Sequence, residues 1–267
     1  MLKKRLIAVI IVRQGQVVQS VQFKHTNIIH YDAVHAVEAF NSWDVDELVL
    51  LNVSRKEESQ EEFLQVVENT SKYCFIPLAA GGWINNAEYA GRLLRSGADK
   101  LVLNTALADN PELVIELANR YGAQCIVASM DAKRSTDGKP TVWVDRGRRD
   151  TGRVPEDWAR HAQTLGAGEI FFNSIDHDGA RKGYDLESLP RICNAVSIPV
   201  IAFGGVFEWD HLLAGINAGV DAVAAANIFH YTEHSTKKAK SYLIGHGVDI
   251  RRSGALQLSG DRIKGVN

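Results

Sequence analysis

The stretch "IPLAAGGWINNAEYAGRLLRSGADKLVLNTAL", Ile76 to Leu107, returns about 120 residues later as "IPVIAFGGVFEWDHLLAGINAGVDAVAAANIF", Ile198 to Phe229. Each copy reads Ile-Pro, an apolar strand, a glycine pair, an amphipathic helix closed by glycine, and a second apolar strand after Gly-Ala-Asp or Gly-Val-Asp. A glycine there suits the left-handed residue that ends a helix. The same offset pairs "DELVLLN" (46–52) with "GEIFFNS" (168–174), and "RLIAVIIVRQG" (5–15) with "QCIVASMDAKR" (124–134). Short, nearly continuous apolar runs of this kind are strands buried on both faces, as in a parallel sheet. They fall near 6–11, 47–52, 75–80, 100–104, 125–130, 169–174, 198–203 and 221–226, with helical patterns between them. Eight alternating units predict an α/β fold, a single (βα)8 TIM barrel built from two homologous half-barrels. The barrel is expected over 1–252, the halves over about 1–122 and 123–252, and a C-terminal tail over 253–267. "STDGKPTVWVDRGRRDTG", after the fifth strand, reads as a hairpin on the active face.

A chain of 267 residues suits one closed barrel. With 45% hydrophobic and 23% charged residues and a formal net charge of -2, nothing calls for nucleic acid or an anionic membrane. The apolar run near the N-terminus is shorter than a signal-peptide core and lacks a small-residue cleavage site, so a cytoplasmic protein is expected. Cys74, Cys125 and Cys193 lie far apart in apolar segments and read as reduced thiols. No His/Cys spacing suits zinc, and neither a metal nor a cofactor is expected.

In such barrels the reactive groups sit at the C-terminal ends of the strands. Asp131 ends strand five, while the matching position of the first half holds Ile11. Asp176 and Asp178 follow strand six, with Gly179 beside them. Gly81 and Gly82 end strand three, Asn104 and Thr105 strand four, Gly204 and Gly205 strand seven, and Ala226 and Asn227 strand eight. Glycine pairs and small polar residues at opposite rims suit two phosphate groups, because backbone N–H groups can approach an anion there. The plainer alternative is a set of tight strand-to-helix turns. His177 is a candidate phosphate donor, and His230 reads as a packed histidine.

"MLKKRLIA", "SGADKLVLNTA", "MDAKR", "GAGEIFFNSIDHDGARKGYD" and "DAVAAANIFH" together resemble the HisF-like family, the cyclase subunit of imidazole glycerol phosphate synthase. The paralogous isomerase of histidine biosynthesis fits "DHDGARKGYD" and "NTA" less well. The resemblance implies a HisH-like glutaminase docked at the N-terminal face, ammonia passed through the core, and ring closure at the C-terminal face on a phosphorylated small-molecule ligand. It also implies an ammonia gate of four charges, here Arg5, Glu47, Lys100 and Glu169. A purely structural ion-pair ring is the alternative.

The departures cluster on one face. Ile11 replaces one of two catalytic acids, and a group lost from general acid–base catalysis typically lowers rate about 10²- to 10⁴-fold. Gln19 stands at the catalytic lysine, Trp83 at the third glycine after strand three, and Phe203 and Asn227 at positions usually held by serine. The pattern resembles a divergent branch tied to surface-polysaccharide gene clusters. There the barrel is expected to pass ammonia to an ATP-dependent sugar amidotransferase at its C-terminal face, forming an acetamidino group on a sugar. A genuine histidine-pathway cyclase and a non-catalytic scaffold for the glutaminase are the other two expectations.

Overall fold

The computed structural model describes residues 3–56, 59–135, 137–231 and 234–251. Eight parallel strands form the barrel: β1 (Arg5–Arg13), β2 (Glu47–Asn52), β3 (Leu78–Gly81), β4 (Lys100–Leu103), β5 (Ile126–Arg134), β6 (Glu169–Ser174), β7 (Val200–Phe203) and β8 (Ala222–Ala225). Each pairs with the next, and β8 returns to β1 with Arg5 opposite Ala222. The outer helices are α1 (Ala33–Ser42), α2 (Ser59–Ser71), α3 (Ala87–Arg95), α4 (Pro111–Tyr121), α5 (Pro155–Thr164), α6 (Ser188–Ala195), α7 (Trp209–Asn217) and α8 (Ser235–Gly245). The chain is thus a (βα)8 barrel. The expected tail, 253–267, lies outside the described residues.

The period-two alternation of a strand divides the apolar residues between two cores. Leu6, Ala8 and Ile10 of β1 face the helices, and Ile7, Val9 and Ile11 face the barrel interior with Val49, Ala79, Val102, Val127, Phe171 and Ile201. Strand β3 begins three residues later, and β7 two residues later, than their apolar runs predict. Pro77 and Pro199 have no N–H for the ladder, so pairing starts just beyond them. Asp32, Asn86 and Asn110 cap α1, α3 and α4, accepting from Val34, Tyr89 and Leu113 N–H at 2.9, 2.8 and 3.2 Å.

The last helix is fastened to the barrel floor by charge. Lys240 of α8 is fully buried and lies 2.7 Å from Asp46 and 3.5 Å from Asp44. Among the described residues no helix is long and apolar enough to cross a membrane.

The hairpin expected after β5 is present. Pro140–Val144 runs antiparallel to the end of β5, and Arg149–Asp150 adds to it. A second hairpin follows β1, with arms Gln16–Val21 and His25–His30, and the apolar pattern did not predict it.

Candidate functional site

The first residues of β1, β2, β4 and β6 meet at the N-terminal mouth. Arg5 contacts Glu47 at 2.9 Å and Glu169 at 2.7 Å, and Lys100 contacts the same two carboxylates at 2.7 Å each. The ring closes on itself, two charges of each sign, and its glutamate side chains are only 3% and 9% exposed. Burial works against the Arg5 charge, but Glu169 and Glu47 outweigh it and hold that guanidinium above its ordinary pKa. All four predicted gate residues are therefore brought together, and each charge has two partners of opposite sign.

At the other mouth Asp131 accepts from the side-chain amides of Asn104 and Asn173, both at 3.0 Å. Burial lifts its carboxyl to about 7; Asn173 and Asn104 oppose that lift, and Asp178 adds to it. Ile11 is 5% exposed and lies in the barrel interior, so the first half contributes hydrocarbon where the second contributes a titratable group. Asn173 escaped the sequence reading. Its register position opposite Asp131 is the signal that could have found it, a polar residue ending the apolar run "GEIFFNS".

Asp178, after β6, meets the hairpin after β1. It is buried, and its carboxylate accepts from Ser20 Oγ at 2.6 Å and from Phe23 N–H at 3.4 Å. Its backbone oxygen accepts from Gln22 N–H at 3.0 Å. Desolvation nonetheless holds its carboxyl above the usual range. Its visible work is to seat the hairpin after β1 on the loop after β6. His177 directs Nδ1 to the Gly183 carbonyl at 2.8 Å. His230 packs against Phe40 and His30 at ring distances of 5.0 and 5.4 Å, and burial lowers its pKa to about 4. Cys74, Cys125 and Cys193 are unpaired thiols.

The two expected phosphate rims differ. At β3 and β4 several turn residues bond to the protein itself. Trp83, with φ 59°, donates its indole N–H to the Ser54 carbonyl at 2.8 Å, and the Arg146 guanidinium lies 5.2 Å from its ring centre. Gln60 donates to the Trp83 carbonyl at 2.9 Å. Thr105 Oγ1 accepts from Asp145 N–H at 3.1 Å, tying the β5 hairpin to this rim. Gly82 does serve close approach, but to protein: a Cβ there would stand 2.4 Å from the Asn52 carbonyl oxygen.

At β7 and β8 a cavity of about 200 Å³ remains, lined by Gly204, Gly205, Ala226, Asn227, Asp178 and Gly179. Gln19, Arg181, Phe203, Phe207 and Tyr231 also line it, and Tyr231 O–H donates to Gln19 Oε1 at 3.1 Å. Phe203 stacks obliquely on Phe171 at 5.0 Å, so its ring joins the pocket to the barrel interior. Among the described residues no group of three or more His, Cys, Asp or Glu is arranged to hold a metal ion.

A closed (βα)8 barrel with polar groups gathered at the C-terminal ends of its strands defines a class whose chemistry lies at that mouth. The family model described as "Histidine biosynthesis protein" matches residues 5–235, and the chain belongs to that family.

Proposed function

We propose that this chain is the ammonia-conducting barrel of a glutamine-dependent amidotransferase, with a HisH-like glutaminase at its N-terminal face. The observation that carries the reading is the contrast between the two mouths. The four-charge ring is complete, whereas of the two matching strand ends at the C-terminal face only the second carries an acid, Asp131, with Ile11 at the equivalent place in the first half and Trp83 bonded to Ser54 at one rim. The barrel interior between them is lined by aliphatic and phenyl side chains. Such a passage carries neutral ammonia in preference to ammonium, whose charge is costly to desolvate. At neutral pH dissolved ammonia is almost wholly ammonium, so a dry passage protects the nucleophile. By the resemblance to the divergent branch, the acceptor is an ATP-dependent enzyme making an acetamidino group on a surface-polysaccharide sugar.

The test supplies the purified chain with ammonium salt at alkaline pH and the histidine-pathway ribulosyl aminoimidazole precursor, following its loss by absorbance. The expected outcome is no turnover by a folded protein. Turnover of roughly 0.1 per second or faster would overturn the proposal.

One observation favours the second reading, a working cyclase of histidine biosynthesis. Asp131, with its carboxyl near 7, is suited to give and take a proton at neutral pH. On that reading the same assay gives turnover, and Asp131→Asn abolishes it.

A further inference from the structure

The two arms of the hairpin after β1 are unequally placed. The first, Gln16–Val21, pairs with the end of β1 on one side and with the second arm on the other. The second, His25–His30, pairs with the first arm alone, and among the described residues no other strand runs along its outer edge. An edge in this state offers alternate N–H and C=O groups to any strand that can approach. We infer that this edge is an interface between two copies of the chain, which pair antiparallel through His25–His30 with a two-fold axis at Ile28. The inference rests neither on ammonia passage nor on any catalytic activity.

The composition of the edge permits pairing. Natural sheet edges are blunted by charged side chains, by proline or by bulges. Between Lys24 and Asp32 the chain reads "HTNIIHY", with no Asp, Glu, Lys, Arg or Pro. The one guard is a bulge: the register slips between Val17 and Val18 and leaves Ile29 without an opposite residue. Thr26, Ile28 and Ile29 are β-branched and suit a strand that is packed on both sides. Ile28 is nonetheless 53% exposed and Tyr31 80%. A two-stranded ribbon is marginal by itself, and joining two of them edge to edge makes a four-stranded sheet.

The flanking charges select the occupant. Lys24 and Asp32 are both exposed, and each stands four residues from Ile28. Among the described residues no acid is paired with Lys24. Asp32 caps α1 through one carboxylate oxygen, which accepts from Val34 N–H at 2.9 Å, and its backbone is extended, as a strand requires. A two-fold axis at Ile28 sets Lys24 of each copy against Asp32 of the other. The long stem of Lys24 spans the bend that the bulge introduces. Ile28 then meets its own copy and Tyr31 meets His25, so the exposed apolar side chains cover one another. A strand whose charge reverses about its midpoint is complementary to itself in the antiparallel sense, and this favours a second copy over an unrelated strand.

Sedimentation equilibrium of the whole chain tests this. The expected result is a monomer–dimer equilibrium with a Kd on the order of 10 µM, as suits a small interface. Nothing larger should form, because a two-fold contact uses up both free arms. Ile28→Lys should weaken the dimer about 10-fold or more by setting like charges against each other at the axis. Lys24→Glu should weaken it about 3- to 10-fold at low salt, and adding Asp32→Asn, which keeps the helix cap, should recover part of that loss. Phe75→Lys, at an aromatic 83% exposed just before β3 at the opposite mouth, should leave it unchanged. A chain still monomeric at about 500 µM, growth beyond two copies, or a dimer indifferent to Ile28→Lys would overturn the inference. So would a dimer abolished by Phe75→Lys, or a Lys24→Glu loss that Asp32→Asn does not reduce. Circular dichroism checks that each variant is folded, and Lys24→Glu, in the exposed turn, decides the matter if Ile28→Lys is not. A failed ammonia assay would leave all of these outcomes unchanged.

Discussion

At Asp131 burial and hydrogen bonding pull in opposite directions. Burial lifts the carboxyl from an ordinary 3.8 to about 7, against the two amides that favour its ionised form. The folded chain thus holds this proton more tightly than the unfolded chain does. The stability it contributes is complete below about pH 4 and is lost as pH rises through about 7. Asp131→Asn removes that dependence, so its melting temperature should fall less than the unaltered chain's between pH 5 and pH 8. Thermal denaturation at the two pH values checks this, and equal falls would contradict it. The variant has a route to a satisfied network, because Asn173 can turn its unpartnered Oδ1 toward the new amide. At this scale the sequence was informative where a residue breaks a pattern, as Ile11 and Trp83 do. It was silent on Asn173 and Ser20, whose roles arise from partners 42 and 158 residues away along the chain.

Among the elements, the hairpin after β1 is held to the loop after β6 chiefly through Asp178. Ser20→Ala would remove the 2.6 Å bond and leave the buried carboxylate with the longer Phe23 contact. The expected cost is about 1–3 kcal/mol, concentrated locally. Hydrogen exchange should accelerate over 16–30 while the β5–β6 ladder stays protected; uniform acceleration would mean that the hairpin is part of the cooperative core. The eight barrel strands were legible because both their faces are buried. This hairpin was not, because its turn carries no signature: Gln22 and Phe23 occupy the left-handed conformation, at φ 50° and 59°, where Asn or Gly is usual. The β5 hairpin announced itself through "STDGKP" and "DRGRR". The rim at β3–β4 was half legible. Tryptophan in a glycine's place signalled crowding, but the contacts of Arg146 with Trp83 and of Asp145 with Thr105 depend on a hairpin folding over from β5.

The whole molecule is spanned by the ring of Arg5, Glu47, Lys100 and Glu169, which joins four strands across the floor. Lys100→Met would leave Glu47 and Glu169 to share Arg5 alone. Breaking one partner out of a buried pair typically costs about 3–5 kcal/mol, and urea denaturation should show a loss near the low end, since Lys100 is 17% exposed. Adding Glu169→Gln should restore part of it; a double variant weaker than the sum of the singles would refute the pairing. Every member of the ring is also the first residue of its strand. Neighbouring side chains on a strand face opposite ways, so a slip of one residue in β1, β2, β4 or β6 would swing its charge out among the apolar helix-facing side chains. A barrel closed with the wrong stagger would bury lone charges, and the correct one buries none. The floor therefore sets the stagger of the barrel energetically, penalising misaligned closures whatever passes through it.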